Sequence, residues 1–400
     1  MTVKIAPSTA YGKVTAPPSK SMAHRALLCG ALSDGSTIKN LAYSKDIEAT
    51  IGCLRALGAR VEQTGDTIRL GGLNPFSLPD STTLFCNESG STLRFLIPLC
   101  MLSGKAVTLT GSQRLFQRPL SVYKDIARQQ NITWQQTDDS IAICGKLRSG
   151  DYQVPGNISS QFLTGLMYAL PLLEGDSTLE VTGTFESASY IDLTLAALSS
   201  FGIHIRQEGH TFYIPGKQRA TLCNYTVEGD YSNAAFLDAF NLLGGQVQID
   251  GLSPDSMQGD RVYQTMYNQL ENGIRQFDLS DCPDLGPVMF AAAAAKGGAT
   301  FTGTARLQIK ESDRGAAMAE ELAKFGISVT VEENAVVVHP GALQTPSEPL
   351  CGHNDHRIVM SLALLCSRTG GIIQGAEAVS KSYPDFFDKL RSLQVGVTIL

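Results

Sequence analysis

Six clusters in this chain join polar, often charged residues to a long apolar run. They are Ser19-Lys20-Ser21, Asn87-Glu88-Ser89-Gly90, Asn157-Ile158-Ser159-Ser160, Asp230-Tyr231-Ser232-Asn233, Asp281-Cys282-Pro283-Asp284 and Asn354-Asp355-His356-Arg357. Comparable positions recur roughly every 70 residues, with one gap of about 50. Each run reads as a buried helix that begins on an N-cap residue. The first N–H groups of a helix have no partner inside it, and the macrodipole adds positive character there. Such starts are ready sites for anions. Six of them, several with Lys or Arg, describe a protein built to hold something strongly negative.

The clusters differ in how much they say. Pro18 to Arg25 puts Lys20 and Ser21 at a cap and Arg25 about one turn further on. An ammonium, a hydroxyl and a guanidinium fork so spaced suit a phosphate; an ordinary capped helix is the plainer alternative. Ser89-Gly90-Ser91-Thr92-Leu93-Arg94 repeats the logic, with a glycine that lets a ligand approach the backbone. Arg114 and Arg118 read as loop residues after a strand, either solvated or binding. Ser159-Ser160-Gln161 reads as a cap or as a ligand clamp. Lys310-Glu311-Ser312-Asp313-Arg314 is either a solvated charge run or an acid/base pair beside an anion clamp. Arg357 falls on the first turn of an otherwise apolar helix, where a buried Arg needs an anion partner. Lys381 stands near another helix start. Walker A, Rossmann and His-Glu-x-x-His patterns are absent from the sequence.

The elements that must position these residues repeat with them. After each apolar run comes Gly and a β-branched stretch, as at Gly35, Gly104, Gly175, Gly245, Gly298 and Gly371. An amphipathic helix is expected next, clearest over 46–58, 190–198 and 314–322. Hairpins are expected over 61–70, 203–214 and 329–338. The unit is thus helix–strand–helix–strand–strand, used about six times, with the fourth copy cut short near Ile274. Fully apolar helices belong inside and amphipathic ones outside. Three units per domain follow, with the boundary near Tyr225 to Asp230. The expected domains are residues 16–227, and 1–15 joined to 228–400. Val3-Lys4-Ile5 reads as a strand that crosses to the second domain. Two crossings make a hinge with a cleft plausible as a design.

Composition sets the limits. With 400 residues, 43% hydrophobic, the chain can bury sizeable cores. A net charge of -6 argues against a general nucleic-acid binder. Nine Cys without a Cys-x-x-Cys pair or zinc spacing read as a reducing, cytoplasmic setting. The N-terminus has no apolar h-region, and no apolar stretch reaches membrane length. Neither a signal peptide nor a membrane partner is expected.

Taken in order, the clusters resemble the enolpyruvyl transferase family, and within it the members that act on shikimate 3-phosphate. The likeness runs from Pro18 to Phe387. It rests on Lys20-Ser21 with Arg25, Arg118-Pro119, Ser159-Ser160-Gln161, Ile309 to Arg314, Asn354 to Arg357, and Lys381 with Pro384-Asp385. The resemblance implies an α/β fold of two inside-out domains, each of three repeats, with buried helices and outer sheets. It implies transfer of the enolpyruvyl group of phosphoenolpyruvate to the 5-hydroxyl of shikimate 3-phosphate, with release of phosphate. The family passes through a tetrahedral adduct, without metal or cofactor, on the chorismate route to aromatic amino acids. Lys20, Ser21, Arg25, Ser159, Ser160, Gln161, Ser187, Tyr190, Asp284 and Lys310 fall where the family holds shikimate 3-phosphate. Lys20, Gly90, Arg118, Gln161, Arg314, Arg357 and Lys381 fall where it holds phosphoenolpyruvate. Lys20, Asp284 and Glu311 fall on its acid/base positions. The expected partners are these two small molecules, with no nucleic acid and no membrane, and the expected state is a monomer. Glyphosate is the family's inhibitor at the phosphoenolpyruvate site, and Gly90 is expected to leave room for it.

Three residues depart from the family pattern: Glu88, Phe95 and Gln308. The sister reaction, on UDP-N-acetylglucosamine, typically goes with a Cys in the loop equivalent to Gln113–Pro119, and that loop has none here. A non-catalytic relative that only binds a phosphorylated ligand is the alternative from another class.

Overall fold

Each of the six apolar runs forms a helix that starts at or just after its polar cluster. The computed structural model describes all 400 residues, in two compact units. The continuous unit is Lys20–Val227; the discontinuous unit is Met1–Ser19 with Glu228–Leu400. Residues 16–19, assigned to the first domain by sequence, belong instead to the discontinuous unit. Ala16 N–H bonds to Asp250, Asp230 N–H to Pro17, and Ser19 N–H to Glu228.

Along the continuous unit run α1 (Lys20–Leu32), α2 (Lys45–Ala56), α3 (Gly90–Cys100), α4 (Gln113–Gln117), α5 (Ser121–Gln129), α6 (Ser160–Ala169) and α7 (Ala188–Ser200). The discontinuous unit adds α8 (Tyr231–Leu242), α9 (Tyr263–Glu271), α10 (Gly286–Ala295), α11 (Arg314–Lys324), α12 (His356–Thr369) and α13 (Phe386–Ser392). Side-chain caps open four of the six apolar helices: Ser89 on α3, Ser159 on α6, Asp230 on α8 and Asp355 on α12. Pro283 opens a 3-10 turn that leads into α10.

Sequence explains which helices are inside. α10 reads Gly-Pro-Val-Met-Phe followed by five Ala and is buried through Ala294. A helix with no polar face cannot border water. Its small residues let α8 and α12 pack against it, and these three form the centre of the discontinuous unit. In the continuous unit α3 packs on α6. Gly165 of α6 makes that approach possible, since a side chain there would strike the Arg94 carbonyl and the Tyr123 hydroxyl.

The sheets lie around these helices, and their make-up corrects the repeat. Five have four strands and one has two. Each contains an extra strand, pairing in parallel, that precedes a buried helix: Tyr11–Thr15, Thr82–Phe85, Asp151–Pro155, Asn224–Thr226, Gln276–Asp278 or Leu350–Cys351. The repeat expected from sequence lacked this strand. Two of the extra strands cross over. Tyr11–Thr15 precedes α1 but pairs with Gln246–Asp250. Asn224–Thr226 precedes α8 but pairs with Ser36–Lys39. The fourth repeat has no hairpin, so its sheet has two strands. In the sixth, Thr2–Ala6 lies between Gly371–Gln374 and Gly396–Ile399, antiparallel to both. No helix is long and apolar enough to cross a membrane.

Candidate active site

In the continuous unit, helix starts carry the basic residues singled out by sequence. Lys20 is the first residue of α1, and its Nζ donates to Asp46 Oδ2 of α2 at 2.9 Å. Arg25, buried one turn later, donates from Nη1 to the Ser21 carbonyl (2.8 Å) and from Nη2 to the Tyr190 carbonyl (2.8 Å). Its Nε donates to Thr194 Oγ1 (3.0 Å), and Phe95 lies under the guanidinium, 5.5 Å from ring centre to Cζ. Phe95 thus has a packing role: it also meets His24 and Tyr168 edge-on or tilted. Tyr190 sits in the first turn of α7, just after Ser187, whose φ of 55° is left-handed. A buried non-glycine residue in that region is a local strain of the kind found at ligand clamps.

The start of α3 is crowded with guanidinium. Arg94, buried, donates from Nη1 to Gln161 Oε1 at 2.9 Å and from Nη2 to the Pro119 carbonyl at 3.0 Å. Gln161 Nε2 donates to Ser91 Oγ at 3.0 Å, so the Ser159-Ser160-Gln161 head of α6 is tied to the head of α3. Sequence placed Arg114 and Arg118 on a loop. The structure puts Arg114 on short α4, capped by Ser112, and Arg118 at its extended C-cap before Pro119. A Cβ added to Gly90 would lie 2.6 Å from Arg118 Nη1 and 2.8 Å from Arg94 Nη1. Both guanidiniums therefore press on Gly90. Gly90→Ala should displace Arg118 first, since its guanidinium is the nearer of the two. The expected result is a weaker grip on an anion at this helix start; an unchanged dissociation constant of Gly90→Ala for inorganic phosphate would contradict it.

In the discontinuous unit three cations meet one carboxylate. Asp284, in the 3-10 turn before α10, accepts at Oδ1 from Arg314 Nη1 (2.9 Å) and Lys310 Nζ (3.2 Å). Its Oδ2 accepts from Arg357 Nη2 at 2.9 Å. This supplies the anion partner that a buried Arg357 requires. Burial alone would raise the Asp284 pKa, but Arg357, Lys310 and Arg314 outweigh it and hold it well below the carboxylate range. Arg314, 1% exposed, also bonds Glu311 Oε2 at 2.7 Å and Asp355 Oδ2 at 2.8 Å. Asp355 in turn caps α12 by accepting from Arg357 N–H. Burial lowers the Lys310 pKa, with Asp284 opposing. Lys381 ends a 3-10 helix and donates to the Asn354 carbonyl at 2.5 Å.

Several residues around the site escaped the sequence reading. Asp46 was read only as part of an amphipathic helix, and its link to Lys20 is tertiary. Arg94 and Asp355 lie inside two of the polar clusters, but their spacing gave no sign of a bridge to Gln161 or Arg314. Asp260 gave no signal. It is buried, bonds Ser232, and is pushed up to about 6 by burial and the Asp284 charge, with Arg357 opposing.

The loop before α12 has its own brace. His353 and Asn354 both have left-handed φ, 48° and 51°. His353 Nε2 lies 3.0 Å from Oε1 of buried Glu321, which Lys324 and the Cys351 N–H also bond. The Glu321 bond raises the His353 pKa against burial. Burial pulls Glu321 upward, but the bonds from His353, Cys351 N–H and Lys324 outweigh it and leave the pKa lowered. A raised His stabilises fully below its unfolded value, 6.5, and fades as pH climbs through the folded one; a depressed Glu stabilises above 4.5 and fades as pH falls. His353→Ala should therefore lower Tm most between pH 4.5 and 6.5, with the loss shrinking as the medium turns alkaline. A loss that grows above neutrality in thermal melts would contradict this sign.

Known proteins resemble this chain over its whole length. A family model described as EPSP synthase (3-phosphoshikimate 1-carboxyvinyltransferase) matches residues 5–390. A 3-phosphoshikimate 1-carboxyvinyltransferase of Clostridium kluyveri is 41% identical, covering 98% of this chain and 97% of that one. One from Clostridium beijerinckii is 39% identical over the same shares. EPSP synthase from Acinetobacter baumannii shares the fold, with a TM-score of 0.79, 23% identity and complete coverage of both chains. The enolpyruvyl transferase NikO from Streptomyces tendae also shares it, with a TM-score of 0.78 at 15% identity, covering 99% of this chain and 98% of that one.

Proposed function

The chain belongs to the EPSP synthase (3-phosphoshikimate 1-carboxyvinyltransferase) family, and we propose that it moves the enolpyruvyl group of phosphoenolpyruvate onto the 5-hydroxyl of shikimate 3-phosphate. The observation that carries this reading is Asp284, a carboxylate gripped by Lys310, Arg314 and Arg357 together. Such a grip suits an anionic ligand that competes for the same cations.

In the proposed sequence, Ser21, Arg25, Ser159, Ser160, Gln161, Ser187, Tyr190 and Lys310 hold shikimate 3-phosphate. Gly90, Arg118, Gln161, Arg314, Arg357 and Lys381 hold phosphoenolpyruvate, with Lys20 serving both. Gripped as it is, Asp284 is a poor base. The carboxylate and phosphate of phosphoenolpyruvate draw Arg314 and Arg357 toward themselves, and the proton affinity of Asp284 rises as the ligand loads. Asp284 then takes the proton of the 5-hydroxyl as its oxygen bonds to C2 of phosphoenolpyruvate. Glu311 or Lys20 delivers a proton to the methylene carbon, C3. The tetrahedral adduct expels phosphate by breaking the C2–O bond, and loss of a C3 proton restores the double bond. The surrounding cations stabilise the departing phosphate.

Incubation with both substrates should release phosphate. Release with UDP-N-acetylglucosamine in place of shikimate 3-phosphate would move the chain to the sister reaction; binding without release would make it non-catalytic. The two crossings belong to the proposal as a hinge. Scattering should show a smaller radius of gyration with shikimate 3-phosphate and an anionic phosphoenolpyruvate mimic bound. An unchanged radius would sink the hinge. All nine cysteines are free, which supports a reducing, cytoplasmic setting, and the proposed state is a monomer.

A further inference from the structure

Two rungs join α1 to α2. Lys20 and His24 lie one turn apart on α1, and Asp46 and Thr50 one turn apart on α2. The first rung is Lys20 Nζ to Asp46 Oδ2 at 2.9 Å; the second is His24 Nδ1 to Thr50 Oγ1 at 2.8 Å. The second rung runs on into α3. Thr50 Oγ1 is 2.6 Å from Thr92 Oγ1, and Thr92 Oγ1 donates to Ser89 Oγ at 2.7 Å. Ser89 is the N-cap of α3 and accepts from the Thr92 N–H; Gly90 follows it. All four side chains are buried, with Thr50 and Thr92 wholly out of solvent.

We propose that His24, Thr50, Thr92 and Ser89 form a positioning relay that sets the Lys20 ammonium of α1 in register with the Gly90 start of α3. It acts through α2, whose Asp46 holds the lysine. The inference rests on the enolpyruvyl transfer reading of Lys20 and Gly90. Apolar side chains could fill the same core but would tolerate several registers. A closed hydrogen-bond chain fixes one, because each displaced hydroxyl strands its neighbour in a place without water. The chain also has a direction. Thr92 donates to Ser89, so Thr50 must donate to Thr92, and the ring N–H must donate to Thr50. Burial, with Lys20 and Arg25 nearby, holds the His24 pKa well below the ordinary value, so the ring is neutral and has one N–H to place. It sits on Nδ1, leaving Nε2 bare; Nε2 is buried and has no partner.

Two measurements test this. Nitrogen-15 NMR of the His24 ring should show the Nδ1–H tautomer, unchanged from about pH 5 to 8. An Nε2–H tautomer, or a ring that titrates in that range, would overturn the relay whether or not the protein is active. Thr50→Val keeps the shape and removes the hydroxyl. It should lower kcat about tenfold and raise the KM for phosphoenolpyruvate, with the KM for shikimate 3-phosphate changed less than about twofold. Thr50→Ser should restore both. Unchanged kinetics in a folded Val variant, or a Ser variant as impaired as Val, would overturn the proposal. If the wild type released no phosphate, the transfer reading would fall, and the tautomer would still decide the relay.

Discussion

Lys20→Met is expected to cut kcat by about three to five powers of ten while leaving Tm close to that of the wild type. Lys20 is the only member of the proposed set assigned to both substrates and to proton delivery. Its loss removes a charge from the transition state and a donor for the methylene carbon together. Methionine keeps the aliphatic stem and its packing. Asp46 loses its ammonium partner, but its side chain is 10% exposed and that of Lys20 is 16% exposed, so water can enter. The effect on folding should be small. Single-turnover kinetics and a thermal melt together check this. A loss of turnover below about tenfold would remove Lys20 from the chemistry.

Asp284→Asn should give an unusual split: kcat lower by about three powers of ten with a KM for phosphoenolpyruvate no higher, or lower, than the wild type. Asparagine has the same shape but cannot take the 5-hydroxyl proton. It also frees Lys310, Arg314 and Arg357 from a competing carboxylate, so an anionic ligand meets less opposition. Stability should move the other way. A carboxylate whose folded pKa is depressed stabilises above its unfolded value and loses that contribution as pH falls through the folded one. The deficit in Tm should therefore be full at neutral pH and disappear in acid. Added inorganic phosphate should restore much of it at neutral pH by occupying the cations. A KM that rises with the fall in kcat would show that Asp284 contributes to binding rather than to proton transfer.

The parts legible in the sequence were those with a long period or an abrupt contrast. Long, mostly apolar runs after polar starts marked the buried helices, and β-branched stretches flanking turns such as Thr64-Gly65-Asp66 marked the hairpins. The extra parallel strands were not legible. Asn224–Thr226, Gln276–Asp278 and Leu350–Cys351 are three residues or fewer, too short to show alternation. Residues 16–19 were misplaced because nothing local distinguishes a strand end paired to Asp250 from a lead into α1. In the site, charge and spacing pointed to Lys20, Arg314 and Arg357. Asp284 and Glu311 were expected as acid/base residues, but the pairings were hidden, since Asp46 is 26 residues from Lys20 and Asp284 is 73 from Arg357. A pairing across such distances leaves no periodic trace. Phe95 looked like a bare departure until Arg25 was seen resting on its ring.

The strand Thr2–Ala6, held between Gly371–Gln374 and Gly396–Ile399, sets an order of events during synthesis. Thr2–Ala6 can meet neither neighbour until Gly371 and the residues after it have been made. Lys20–Val227 meets no such delay, for its last strand, Asn224–Thr226, pairs with Ser36–Lys39 inside the same unit. Folding should therefore proceed from the middle of the sequence outward, with the amino-terminal segment waiting as an unpaired edge. Chains stopped short of Gly396 would leave one edge of that strand unpaired, and chains stopped short of Gly371 both, as an open template for aggregation.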